Sequence, residues 1–142
     1  MRKPVVFAVT GYKNSGKTWL AEKLVSRLTG EGYRVAVIKH DGHDFEPDVP
    51  ETDSYRHRKA GAFGNAVFSR NRYMVTRTWP DEDSPADSFM AAEKLMEFFP
   101  DTDIILLEGL KHTSYPKYVC RYPEEAPDPE AAYQAILRLI ED

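Results

Sequence analysis

The sequence predicts an α/β fold with a mostly parallel central sheet and an inserted β-hairpin. Three observations carry that expectation. Residues 5–9, 35–38 and 104–107 are short, wholly apolar, β-favouring runs, the pattern of strands buried on both faces of a parallel sheet. Amphipathic helical stretches alternate with them, as in α/β proteins. Between them, residues 66–69 and 72–78 form two β-favouring segments joined only by Arg70 and Asn71, which reads as a hairpin.

The elements follow in order. Residues 5–9 (Val-Val-Phe-Ala-Val) form the first strand, and a glycine-containing loop, residues 11–18, comes next. Leu20, Leu24 and Leu28, with Val25 beside them, then recur at helical spacing until Gly30 and Gly32 stop the helix. Residues 35–38 are the second strand. This β-loop-α-β unit predicts a parallel crossover. Residues 41–51 are polar and contain two prolines, and read as a loop. Thr52 or Asp53 caps a short helix ending near Ala60, and Gly61 and Gly64 interrupt before the hairpin. Ser84, Pro85 and Asp87 have the residues of a capping box with proline at the first helical position. Phe89, Ala92, Met96 and Phe99 share one face of the helix that follows, which Pro100 ends. Residues 104–107 are the third buried strand and 118–121 a short fourth. Asp128 and Pro129 start a last helix with Ala132, Ile136, Leu139 and Ile140 on its apolar side.

The chain has 142 residues, 42% apolar and 30% charged, which describes one ordinary globular domain over residues 1–142. A net charge of −4 argues against a generic nucleic-acid binder. The lone cysteine, Cys120, cannot form an internal disulfide and reads as a small buried strand residue. The run at 5–9 is too short for a signal-peptide core, and no segment approaches the ~18 apolar residues of a membrane span. The expectation is a cytoplasmic protein without nucleic-acid or membrane partners.

Gly11-Tyr12-Lys13-Asn14-Ser15-Gly16-Lys17-Thr18 fits G-x-x-x-x-G-K-[ST] in full. The glycines permit torsions that other residues resist and let the backbone approach a phosphate. Successive N–H groups then face the anion, and the following helix presents its positive end to it. Lys17 supplies a full charge for the β- and γ-phosphates, and Thr18 a hydroxyl ligand for Mg²⁺. The four fixed positions arise by chance in roughly one chain of this length in 200. Flanking by a buried strand and an amphipathic helix sharpens the match to a three-layer fold like that of the P-loop NTPases. Glu108 ends the third apolar strand at the sheet edge where ligands bind in open α/β sheets. It is the expected second half of the site, a carboxylate that holds Mg²⁺ directly or through water, and Gly109 after it allows a sharp turn. Lys13 belongs to the loop through its backbone, with a solvated side chain.

Residues 11–18, 38–44 (Ile-Lys-His-Asp-Gly-His-Asp), 53–62 (Asp-Ser-Tyr-Arg-His-Arg-Lys-Ala-Gly-Ala) and 106–112 (Leu-Leu-Glu-Gly-Leu-Lys-His) together resemble the molybdopterin-guanine dinucleotide biosynthesis protein B family, MobB. All phosphate-loop proteins share the first stretch. The second and third are far more specific. The resemblance implies a dimeric GTP- and Mg²⁺-binding protein with slow GTP hydrolysis. It also implies a supporting role beside the guanylyltransferase that attaches GMP to molybdopterin, with molybdenum-cofactor intermediates as further partners. The family commonly has phenylalanine where this chain has Leu110, and the residues after Tyr122 match nothing characteristic of it.

The residues add their own reading. Asp41, just past the second strand, is placed to orient a water or Mg²⁺; His40 and His43 suit an anionic ligand or titration near neutrality. Residues 54–80 contain Arg56, His57, Arg58, Lys59, Arg70, Arg72 and Arg77 and no acid, which points to an anionic partner such as a pterin phosphate or an acidic protein face. Trp19, Trp79 and the phenylalanines read as core or interface residues. No Asn-Lys-x-Asp or Thr-Lys-x-Asp occurs, so GTP preference rests on the resemblance alone. Two rival readings use the same loop. One is a small-molecule kinase with Asp41 as base. The other is a non-catalytic adaptor stabilised by bound nucleotide.

Overall fold

The computed structural model describes residues 2–41, 51–79 and 87–142. Its elements run β1 (Val5–Gly11), α1 (Lys17–Gly30), β2 (Val35–Lys39), α2 (Asp53–Lys59), β3 (Gly64–Phe68), β4 (Tyr73–Arg77), α3 (Ser88–Met96), β5 (Ile104–Glu108), β6 (Lys117–Cys120) and α4 (Pro129–Glu141). They form two compact units, residues 1–40 with 85–142, and residues 41–84.

The first unit is built on a four-stranded sheet in the order β2-β5-β1-β6, parallel throughout. β5, between β2 and β1, is buried along its whole length, which is why residues 104–107 lack polar alternation. On one face Phe7, Val9, Ile104 and Leu106 pack on the Leu20–Leu24–Leu28 stripe of α1 and on Ala132, Tyr133 and Ile136 of α4. On the other, Ala8, Ala36, Ile38, Ile105 and Leu107 meet Ala92 of α3, with Leu95, Met96 and Phe99 beside it. The unit is therefore a helix–sheet–helix sandwich of three layers. β1 and β2 are parallel, as the crossover requires, but β5 intervenes: Val5 and Val35 both align with Ile104.

α4 has a clear structural role. Asp128 caps it, accepting from the Ala131 N–H at 3.2 Å, with Pro129 in its first turn. The helix then closes the first core layer against α1. Arg27 stacks 3.6 Å from the Tyr133 ring and pairs with Glu130. Their mutual hydrogen bond raises the Arg27 guanidinium and lowers the Glu130 carboxyl from their ordinary values.

The structure corrects two expectations about α3, its start and its end. Asp87 is not the inner acid of a capping box begun at Ser84; it is itself the cap of α3. Its backbone is extended and its carboxylate accepts from the Met90 N–H at 2.9 Å. Asp87 takes a helix N–H itself, so the helix starts one residue later, at Ser88. Ser84, Pro85 and Ala86 lie outside the described residues. α3 ends at Met96, short of Pro100, although Phe99 still packs on the core. Of the two readings for Trp19 and Trp79, core or interface, their exposure of 46% and 42% removes only the first. Trp19 precedes the buried stripe of α1 and lies under the Lys23 ammonium, 5.5 Å from the ring centre.

In the second unit Thr52 caps α2 through its side chain. β3 and β4 pair antiparallel as a sheet of their own, closed where Ser69 donates to the Arg72 carbonyl at 2.8 Å. Gly64 opens β3 instead of interrupting before it. The Asn65 side chain donates to the Ser54 carbonyl at 3.1 Å, tying hairpin to helix. Arg56, His57, Arg58 and Lys59 crowd the last turn of α2, where the helix dipole favours cations.

Candidate phosphate-binding site

β1 delivers the chain at Gly11 and α1 receives it at Lys17, so residues 12–16 form the loop between a buried strand and a helix start. Gly11 has φ +145°, and a Cβ there would lie 2.4 Å from Ser15 Oγ and 2.6 Å from the Cys120 carbonyl. Gly16, at φ +98°, occupies the N-cap position, where a Cβ would strike Pro127 at 2.8 Å. Asn14 is also left-handed, at φ 62°, a conformation asparagine tolerates better than most residues. Ser15 N–H donates to the Tyr12 carbonyl at 3.1 Å. Tyr12, Lys13 and Asn14 are exposed along the loop.

Two features make this loop an anion cradle. The start of α1 has no side-chain cap and no acid in its first turn, so its free N–H groups and positive dipole end await a partner. Ser15 Oγ is buried without a hydrogen-bond partner, a costly state that a bound phosphate oxygen relieves. The residues present fit a nucleotide polyphosphate.

The carboxylate comes from the next strand. Parallel register sets Glu108 beside Val9 of β1 and Lys39 of β2. Glu108 is only 7% exposed. Its Oε1 accepts from Thr18 Oγ1 at 2.6 Å and lies 4.0 Å from Lys39 Nζ. An open groove of about 300 Å³ runs beside them, lined by Thr18, Ala21, Glu22, Val25, Ser26, Val37 and Glu108. Gly109 N–H donates to the Val9 carbonyl at 3.0 Å, and His40 N–H to the Glu108 carbonyl at 3.0 Å. Cys120 is buried where expected; burial pushes its thiol up, against the pull of the Lys17 charge.

The fold thus gathers Gly11, Ser15, Gly16, Lys17, Thr18, His40, Glu108 and Gly109 within the first unit. Asp41 is the first residue of the second unit, and Arg56 lies exposed on that unit's helix. His43 lies outside the described residues. Sequence reasoning overlooked three neighbours of the loop. Lys111 places its ammonium 3.8 Å over the Tyr12 ring. Tyr122 donates its N–H to the Ser15 carbonyl at 3.3 Å, and Pro127 abuts Gly16. Nothing local marks these residues, because each reaches the loop only through the order of strands.

The sequence profile of molybdopterin guanine dinucleotide synthesis protein B, MobB, matches residues 6–142. The chain belongs to this family. It is 38% identical over 117 residues to the molybdopterin-guanine dinucleotide biosynthesis adapter protein of Escherichia coli K12, covering 80% of this chain and 63% of that one. A probable adapter protein of the same kind from Bacillus subtilis 168 is 33% identical, with 82% and 64% covered. The chain therefore spans just under two-thirds of the length of these MobB relatives. The crystal structure of Bacillus subtilis MobB superposes with a TM-score of 0.64 at 31% identity, covering 91% of this chain and 73% of that one. Among the described residues no helix is long and apolar enough to cross a membrane.

Proposed function

We propose that this chain is a GTP-binding adapter in molybdopterin guanine dinucleotide formation, acting in the cytoplasm beside a guanylyltransferase and hydrolysing GTP slowly with Mg²⁺. The observation that carries the nucleotide part is the cradle itself, an uncapped helix start around a buried, unpartnered Ser15 hydroxyl. The adapter part follows from the MobB relatives, whose names describe that role. Gly11, Tyr12, Lys13, Asn14, Ser15 and Gly16 offer backbone N–H groups to the phosphates, and Lys17 offers its charge. Thr18 donates its hydroxyl proton to Glu108, which leaves an oxygen lone pair free; these two residues would hold Mg²⁺, Thr18 directly and Glu108 directly or through water. Mg²⁺ supplies charge neutralisation when bound. Asp41, next to His40 in the chain, orients the attacking water. His40, His43, Gly109 and Arg56 belong to the same reading as anion contacts, as does a homodimer.

The decisive experiment is reconstituted dinucleotide synthesis by a guanylyltransferase, with and without this chain. Stimulation by the wild type and none by Lys17→Ala supports the proposal. Equal stimulation by a Lys17→Ala variant that no longer binds GTP would instead favour a non-catalytic adaptor whose action does not need GTP turnover.

The Thr18–Glu108 pair gives a narrower prediction. Glu108→Gln replaces a charge-assisted contact by a neutral one, a difference of about 1–1.5 kcal/mol. Titration calorimetry should show GTP affinity in Mg²⁺ falling about tenfold, with affinity in EDTA unchanged. Equal affinities in Mg²⁺ for wild type and variant would remove Glu108 from the cation site.

A further inference from the structure

The nucleoside end of the proposed ligand has no reader in the sequence, because the aspartate motifs that recognise guanine are absent. Strand order limits where that end can lie. β1 has β5 on one side and β6 on the other. Thr18 and Glu108 meet on the β5 side, so they would hold a cation, and with it the terminal phosphates, on that flank. A nucleoside at the opposite end of the phosphate chain would then leave toward β6.

The chain after β6 is built against the loop there. Tyr122 N–H donates to the Ser15 carbonyl at 3.3 Å, and Pro127 packs on Gly16. Glu125 N–H returns to the Arg121 carbonyl at 3.3 Å, closing a turn. The Tyr118 hydroxyl accepts from the Asp128 N–H at 2.9 Å and pins the far end. On this anchored turn Tyr122 remains 55% exposed. Tyr12 is exposed too, but its ring centre lies 3.8 Å from the ammonium of Lys111, which follows β5, so it stands on the phosphate flank.

We propose that Tyr122 is the platform on which the nucleobase stacks. The proposal rests on the reading that residues 11–18 bind GTP. A tyrosine ring is rigid, flat and costs little entropy to order, and its position is set by a backbone hydrogen bond to the loop that holds the phosphates.

The test is calorimetric binding of GTP and of inorganic triphosphate, both with Mg²⁺, to the full chain. Tyr122→Ala should weaken GTP about tenfold and leave triphosphate unchanged, because triphosphate has no base. Tyr122→Phe, which keeps the ring, should bind GTP like the wild type. A Tyr122→Ala variant that binds GTP normally overturns the proposal. So does one that loses GTP and triphosphate in equal measure, which would make the residue a mere support of the loop. Wild type binding triphosphate as tightly as GTP overturns the base platform while leaving the phosphate loop intact. Wild type binding neither overturns the nucleotide reading and the platform with it.

Discussion

Lys17→Ala is expected to abolish the thermal stabilisation that GTP and Mg²⁺ give the wild type. Ligand at 100 times its dissociation constant stabilises by ~2.7 kcal/mol, a rise of roughly 5–10 °C for a domain of this size. Lys17 is the one full positive charge that the loop motif aims at the β- and γ-phosphates. In the nucleotide-free state the same residue works against the fold, because a cation in the first turn of α1 opposes the helix dipole. The variant without ligand should therefore melt at or slightly above the wild-type temperature. This pairing separates loss of the site from loss of the fold. Differential scanning calorimetry with GTP, ATP and no nucleotide reads both. A variant still stabilised by GTP would show that Lys17 does not carry the binding, and an equal or larger rise of the wild type with ATP would favour the kinase reading.

Leu106→Ala is expected to cost about 3–5 kcal/mol of stability, a large part of the ~5–15 kcal/mol that holds a typical domain together. Leu106 is fully buried at the middle of β5. Its neighbours on that face come from the sheet and from α1 and α4. β5 is held on both edges by β1 and β2, so the backbone cannot collapse into the space left by the lost side chain. Val37→Ala, in the neighbouring strand but 41% exposed, should cost under ~1 kcal/mol because the site is already wet. Urea unfolding of the two variants measures the contrast. Similar midpoints would mean that β5 is not the centre of the core.

Much of the fold could be read from residue spacing. Leu20, Leu24 and Leu28 fall on one helix face whatever lies opposite, and an unbroken apolar run such as 104–107 is stable only when covered on both sides. Asp128 announced α4 because a cap and a following proline act within one turn. Asp87 was harder, since a serine and an acid three residues apart serve equally as a box around one helix start or as the approach to another. For Trp19 and Trp79 the sequence could not divide core from interface, because aromatic character does not say whether a side chain finds its partner within the chain.

The sequence by itself determined the α/β class and the phosphate loop, because both depend on interactions between residues close in the chain. Gly11 and Gly16 are needed for backbone torsions, and Lys17 and Thr18 follow on the first helical turn. Only the tertiary structure decided which residues surround that loop. β5 enters between β1 and β2, and this brings Glu108 to Thr18 across 90 positions of sequence. β6 lines the other edge and lays Tyr122 and Pro127 against Ser15 and Gly16. Strand neighbours are chosen by how buried faces pair across the whole sheet, and no local spacing encodes that choice.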